Sequence, residues 1–195
     1  MDKLSWTNNR KLEFLQSVSE LHNLPWERIT KLGDKIFNKF KSGNKISFVG
    51  NGGSAAEAIH LAAEFTGKCV LEHPPFAALC LNESQSSITA IANDFGFEYI
   101  FARQVQAHLR KGDLIVILST SGKSKNIQLA IEAAIALEVD VILWTGINAP
   151  DFQKVDVWRV NSKSTPRIQE IHLVWGHLVA EYVEYRYANE SVINS

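Results

Sequence analysis

The run Asp113-Leu114-Ile115-Val116-Ile117-Leu118 constrains this chain most. It reads as a continuously apolar strand, and such a strand has to be covered on both faces. Lys45–Val49, Phe76–Leu81, Val139–Trp144 and Val155–Val160 read as further strands, the last at an edge. Between them, Ala55–Phe65, Ser86–Ala92, Tyr99–Leu109 and Ile127–Leu137 read as helices, and the chain returns to helix from Arg167 to about Tyr187. Strands that alternate with helices predict a parallel sheet in a doubly wound α/β domain. Ligands of such sheets bind at the carboxyl ends of the strands.

Residues 1–43 carry apolar positions at helical spacing: Leu12, Phe14, Leu15, Val18 and Leu21, then, after Pro25, Ile29, Leu32, Ile36, Phe37 and Phe40. They predict an N-terminal helical hairpin ahead of a core over 44–195, all within one domain spanning 1–195. At 195 residues and 46% apolar, the chain is neither disordered nor fibrous. Its 20 basic and 21 acidic residues nearly cancel, which argues against a broad basic face for nucleic acid. The N-terminus has no apolar signal-peptide core, and no uncharged run is long enough to cross a membrane. Cys69 and Cys80 fit no metal-binding spacing and read as ordinary thiols of a reducing compartment. The expectation is a cytoplasmic protein with no nucleic-acid or membrane partner.

Two loops stand at strand-to-helix junctions. Gly50-Asn51-Gly52-Gly53-Ser54 lets the backbone turn tightly and approach a ligand closely. Ser119-Thr120-Ser121-Gly122-Lys123-Ser124 sets four hydroxyls and a glycine between an apolar strand and a helix, which suits the several acceptor oxygens of a phosphate. Its last three residues match the end of a P-loop, but the first glycine that motif requires falls at Ile117, inside the strand. Gly50 to Ala55 does satisfy the dinucleotide pattern G-x-G-x-x-A, with Glu72 about 20 residues on. A dinucleotide-binding protein is therefore one alternative, although that motif has no need of the hydroxyl-rich loop.

His60 and Glu64 lie one helical turn apart, a spacing that can chelate a metal or share proton transfer. The small and apolar residues around them predict a mostly buried helix. In the last helix Gln169, Leu173 and His177 share a stripe, whereas His172 lies about 140° away from His177. Spacing predicts one of the two histidines in a site and the other in packing, without choosing between them. His22, His73 and His108 read as solvated, and the five tryptophans as core or interface anchors.

GNGGSAAEAIHLAAEFTGK (50–68), AIANDFGFEYIFARQV (90–105), GDLIVILSTSGKSKNI (112–127) and RIQEIHLVWGH (167–177) together resemble the phosphoheptose isomerases of the sugar-isomerase (SIS) domain family. The resemblance covers nearly the whole chain. It implies a five-stranded parallel sheet flanked by helices on both faces, and a homotetramer with active sites at subunit interfaces. It implies interconversion of D-sedoheptulose 7-phosphate and D-glycero-D-manno-heptose 7-phosphate through an enediol. It assigns Asn51, Gly52, Gly53, Asn93 and Asp94 to the sugar, and Ser119, Thr120, Ser121 and Ser124 to the phosphate. Glu64 and His177 become the acid–base pair; His60, Glu64, Gln169 and His177 become ligands of one zinc ion per subunit, with Glu64 and Gln169 also touching substrate. Gln169 and His177 are about 12 Å apart along the helix, and Gln169 leans away from His177, so completion of the site by a neighbouring subunit is expected.

Some features depart from the family pattern. Ala55 and Ala56 replace the His or Cys common after GNGGS, Pro166 stands where some members carry Asp, and Asn148-Ala149-Pro150 replaces a glycine-rich turn. A second alternative is a non-catalytic SIS regulator that binds a replication initiator protein. Retention of His60, Glu64 and His177 argues against it.

Overall fold

A computed structural model describes residues 3–22 and 26–193. Pro25 lies outside them, as do the side chains of Leu21 and His22. The elements run α1 (Lys3–His22), α2 (Trp26–Lys41), β1 (Ile46–Gly50), α3 (Gly53–Thr66), β2 (Ala78–Cys80), α4 (Gln85–Phe95), α5 (Ala102–His108), β3 (Leu114–Leu118), α6 (Lys125–Ala136), β4 (Asp140–Gly146), β5 (Val155–Val160) and α7 (Thr165–Ile193). The five strands pair in parallel in the order β2-β1-β3-β4-β5. The chain reverses its direction across the sheet between β1 and β3, so the crevice above these strands is the topological switch point.

The double-sided strands serve two cores, because successive side chains leave a strand on opposite faces. Phe48, Val116, Trp144 and Trp158 point to the face covered by α2, α3 and α7. Val49, Ile115, Ile117 and Leu143 point to the face covered by α5 and α6. β5 is an edge strand, as its pattern predicts. At the amino end of the sheet, burial pushes the Asp113 carboxyl up, but hydrogen bonds from the Lys45 N–H and side chain, the Arg110 N–H and the Asn44 amide outweigh it and hold the group below its usual range. That carboxylate joins the starts of β1 and β3.

The structure corrects several local readings. The helix expected over Tyr99–Leu109 is a 3₁₀ turn (Phe97–Tyr99) followed by α5, after Gly96 takes a left-handed φ of 104°. The second strand is only Ala78–Cys80. Of the five tryptophans, Trp144, Trp158 and Trp175 are core residues, as expected, that pack edge-on or tilted, and Trp6 and Trp26 are exposed on this chain. His73 is not solvated: its side chain is fully buried, stacks on Phe76 at 4.2 Å, and sets Nε2 3.2 Å from Glu184 Oε1. The Glu184 carboxylate on α7 also accepts the N–H groups of Cys69, Val70 and Leu71 at 2.6, 2.9 and 2.8 Å, fixing the loop that leaves α3.

Candidate active site

β1 and β3 are neighbours, so the two loops rise side by side from the carboxyl edge of the sheet. Asn82 holds the first from below: its side chain accepts from the Gly50 N–H (3.1 Å) and donates to the Gly50 carbonyl (2.9 Å), as a further strand residue would. Gly52 then takes a φ of 57°, which an L side chain rarely adopts. In the second loop Ser119 Oγ accepts the Gly122 N–H at 3.1 Å and Ser121 Oγ accepts the Lys123 N–H at 3.2 Å. The Ser119 N–H donates to the Trp144 carbonyl and the Gly146 N–H to the Thr120 carbonyl, which anchors this loop on β4. Asn51 and Asn126 join the loops by two reciprocal amide bonds of 2.9 and 3.0 Å. Asn126 is buried, and the sequence reading missed it.

The first turn of α6 presents N–H groups that lack helical partners, directly behind Ser119–Ser124. A cavity of about 210 Å³ opens at this loop, lined by Thr120 and Ser121 and by Ser162, Lys163 and Thr165 from the connection between β5 and the start of α7. Those last three residues belong to a segment the sequence reading left empty. Asn93 and Asp94 lie at the exposed end of α4, with the Asn93 amide donating to the Asp94 carboxylate at 2.7 Å.

α3 and α7 pack against one another and run in parallel. Gly53 and Ser54 meet Gln169, Leu61 meets Gly176, and His60 meets His177. A Cβ on Gly176 would collide with Leu61, so the glycine sets the closeness of this contact. The ligand-capable atoms of His60, Glu64 and His177 lie within 4.8 Å of one another. His60 Nε2 is 2.8 Å from His177 Nε2 and 3.3 Å from Glu64 Oε1. Two imidazole nitrogens and a carboxylate oxygen at this spacing suit a divalent cation of borderline softness.

The structure therefore brings three of the four expected ligands together in one chain. It sets Gln169 elsewhere, with its amide against Gly53 and donating to Ser54 Oγ at 3.4 Å, about two turns of α3 from His60. His172 is the packing histidine: it is fully buried beside Trp144 and Trp175, and burial pushes its pKa down to about 3, against the opposing influence of the Thr145 backbone. The α3 surface is more open than its composition predicts, with the His60 side chain 48% exposed and Glu64 16%. The buried carboxyl of this helix is instead Glu57, which sequence reading missed. Glu57 stands three residues after Ser54 and seven before Glu64, on the side of α3 that carries Glu64. Neither of its oxygens has a well-aligned partner, and burial pushes its pKa up to about 7, with the Ser54 side chain acting in the opposite direction. Cys69 is held as a neutral thiol: burial, then the charges of Glu64 and Glu184, push it up to about 12.

Comparison with known proteins agrees with this architecture. The SIS domain model matches residues 12–146. A phosphoheptose isomerase of Rhodospirillum rubrum is 48% identical over 158 residues, covering 80% of this chain and 84% of that protein. One of Akkermansia muciniphila is 47% identical over 146 residues, covering 74% and 77%. Among solved structures, a phosphoheptose isomerase from Francisella tularensis superposes with a TM-score of 0.87 at 30% identity, covering 95% of this chain and all of the other. One from Neisseria gonorrhoeae gives 0.84 at 31% identity, covering 94% and 100%. With its switch-point loops, its sheet order and this degree of likeness, the chain belongs to the SIS domain family, as a sugar-phosphate isomerase of the phosphoheptose isomerase group.

Proposed function

We propose that the enzyme interconverts D-sedoheptulose 7-phosphate and D-glycero-D-manno-heptose 7-phosphate, with Glu64 and His177 as the proton-transfer pair. The observation that carries this reading is the convergence of His177 with His60 and Glu64 on two parallel helices. Aldose–ketose isomerisation needs one group to take the proton from carbon 1 of the ketose and return it to carbon 2. A second group serves the neighbouring oxygens, where charge develops. A carboxylate and an imidazole held side by side can divide these tasks. Ser119, Thr120, Ser121 and Ser124 hold the phosphate, and Asn51, Gly52, Gly53, Asn93 and Asp94 receive the sugar. His60, Glu64 and His177 fit zinc, which when bound supplies Lewis-acid stabilisation of the enediolate oxygens.

Glu64 lies about 16 Å along α3 from Gly53, farther than the extended carbon chain of a heptose phosphate reaches. The proton-transfer pair of one copy therefore works with loops supplied by another, and Gln169 joins the metal ligands from a second copy. α1 supports assembly, since Leu4, Trp6, Leu12, Phe14, Leu15 and Val18 are all exposed large apolar residues on it. We take the assembly to be a homotetramer. Among the described residues no helix is long and apolar enough to cross a membrane. Two free thiols suit the reducing cytoplasm, where we place the enzyme. An isomerase assay with sedoheptulose 7-phosphate, with and without a chelator, tests this reading. Product formation supports it, and no turnover of this sugar by the metal-loaded protein rejects it.

A further inference from the structure

The hydroxyls and backbone N–H groups of residues 119–124 are neutral donors, yet a sugar phosphate carries close to two negative charges at neutral pH. The 210 Å³ cavity that Thr120 and Ser121 of this loop line is also lined by Lys123, from the loop itself, and by Lys163, from the connection between β5 and α7. Among the described residues, neither lysine has an acidic partner. By contrast Lys31, Lys35, Lys39, Lys41, Lys45, Lys68 and Lys111 all form ion pairs. The nearby cations Arg159 and Arg167 are likewise neutralised, by Asp151 and Glu170. Lys123 and Lys163 are thus the unneutralised positive charges lining this cavity beside Thr120 and Ser121.

We propose that Lys123 and Lys163 are specificity-determining residues of the phosphate pocket, together selecting a dianionic phosphate ester over a neutral sugar or a singly charged ester. The proposal rests on the isomerase reading for the identity of the ligand, but not for the existence of the anion pocket. The two ammonium groups supply the positive charge that the neutral donors of the loop lack, while the hydroxyls fix the orientation of the phosphate. Both lysines are exposed, so their contribution is screened by salt.

The test compares the metal-loaded wild type with K123M, K163M, the double variant and K163R. The control is K111M, at the amino end of the sheet. It measures kinetics with sedoheptulose 7-phosphate and binding of inorganic phosphate by calorimetry, each at low and high salt. Each single change is expected to raise KM and the Kd for inorganic phosphate about five- to tenfold, and the double change more, with kcat falling far less than affinity. K163R should recover most of the affinity, a rescue that a purely structural role would not give. The salt dependence of phosphate binding should flatten in the double variant, whereas K111M should match wild type. Unchanged KM and phosphate affinity in the double variant would overturn the proposal. If wild type does not turn over the sugar but the double variant still loses phosphate binding, the isomerase reading fails and the lysine assignment stands.

Discussion

Asn51 and Asn126 bind each other through both ends of their amides, at 2.9 and 3.0 Å, and so tie the glycine loop after β1 to the first turn of α6 behind the phosphate loop. The bridge fixes the spacing between the surface proposed for the sugar and that proposed for the phosphate. Such an amide pair leaves Asn51 no free choice of rotamer. Asn126→Ala should lower kcat/KM for sedoheptulose 7-phosphate about tenfold to a hundredfold and cost about 1–3 kcal/mol of stability, because a buried amide loses its partner. Steady-state kinetics and urea unfolding check the two effects.

The assigned roles of Glu64 and His177 predict a loss of turnover without a loss of fold. Glu64→Gln and His177→Ala should each reduce kcat by about 10²–10⁴ with a near-native circular dichroism spectrum. Ser121→Ala should act chiefly on KM, since its hydroxyl is placed on the phosphate and not on the reacting carbons. Near-normal rates in both acid–base variants would reject the pair.

Glu57 predicts a pH-dependent term in stability. Its pKa is about 7 in the folded protein against 4.5 for an ordinary Glu. The fold therefore favours the protonated form. Its contribution is complete below about pH 4.5 and is lost as the pH rises through about 7. Glu57→Gln, which keeps the shape and cannot ionise, should gain up to about 3 kcal/mol over wild type at pH 8, and the gain should vanish towards pH 4.5. Thermal melting of both proteins across this range measures it.

The Glu184 carboxylate is buried, gathers three part-buried backbone N–H groups and lies against the buried side chain of His73. Glu184→Ala should cost about 3 kcal/mol or more, since the three donors lose their only strong acceptor. Glu184→Gln should cost less, because one carbonyl oxygen remains. Hydrogen exchange at residues 69–71 should accelerate in the alanine variant well before global unfolding.

The alternation of double-sided strands with helices was legible because it is a pattern of local hydrophobicity. So were both loops, whose glycines and hydroxyls are written into consecutive residues. The break at Gly96 was not, because the positive φ of that glycine goes with the packing of α4 on the 3₁₀ turn that follows it. His73 read as solvated since its neighbours in the chain are polar or proline. It is buried by Glu184, more than a hundred residues away, and by the ring of Phe76. Glu57 escaped notice for the same reason: nothing in its local sequence says that neither oxygen meets a partner.

By itself, then, the sequence determined the class of fold, the number of strands and their succession along the chain, and the two loops at their carboxyl ends, all properties of short segments. Its resemblance to known isomerases singled out His177. Only the tertiary structure decided which groups meet across elements. Helical spacing could not choose between His172 and His177, but the parallel packing of α7 on α3 turns one into the aromatic core and brings the other to His60. It likewise set Gln169 beside Gly53, and Lys163 and Ser121 on one cavity. A contact between distant residues depends on how whole elements pack, and no stretch of neighbouring residues encodes that.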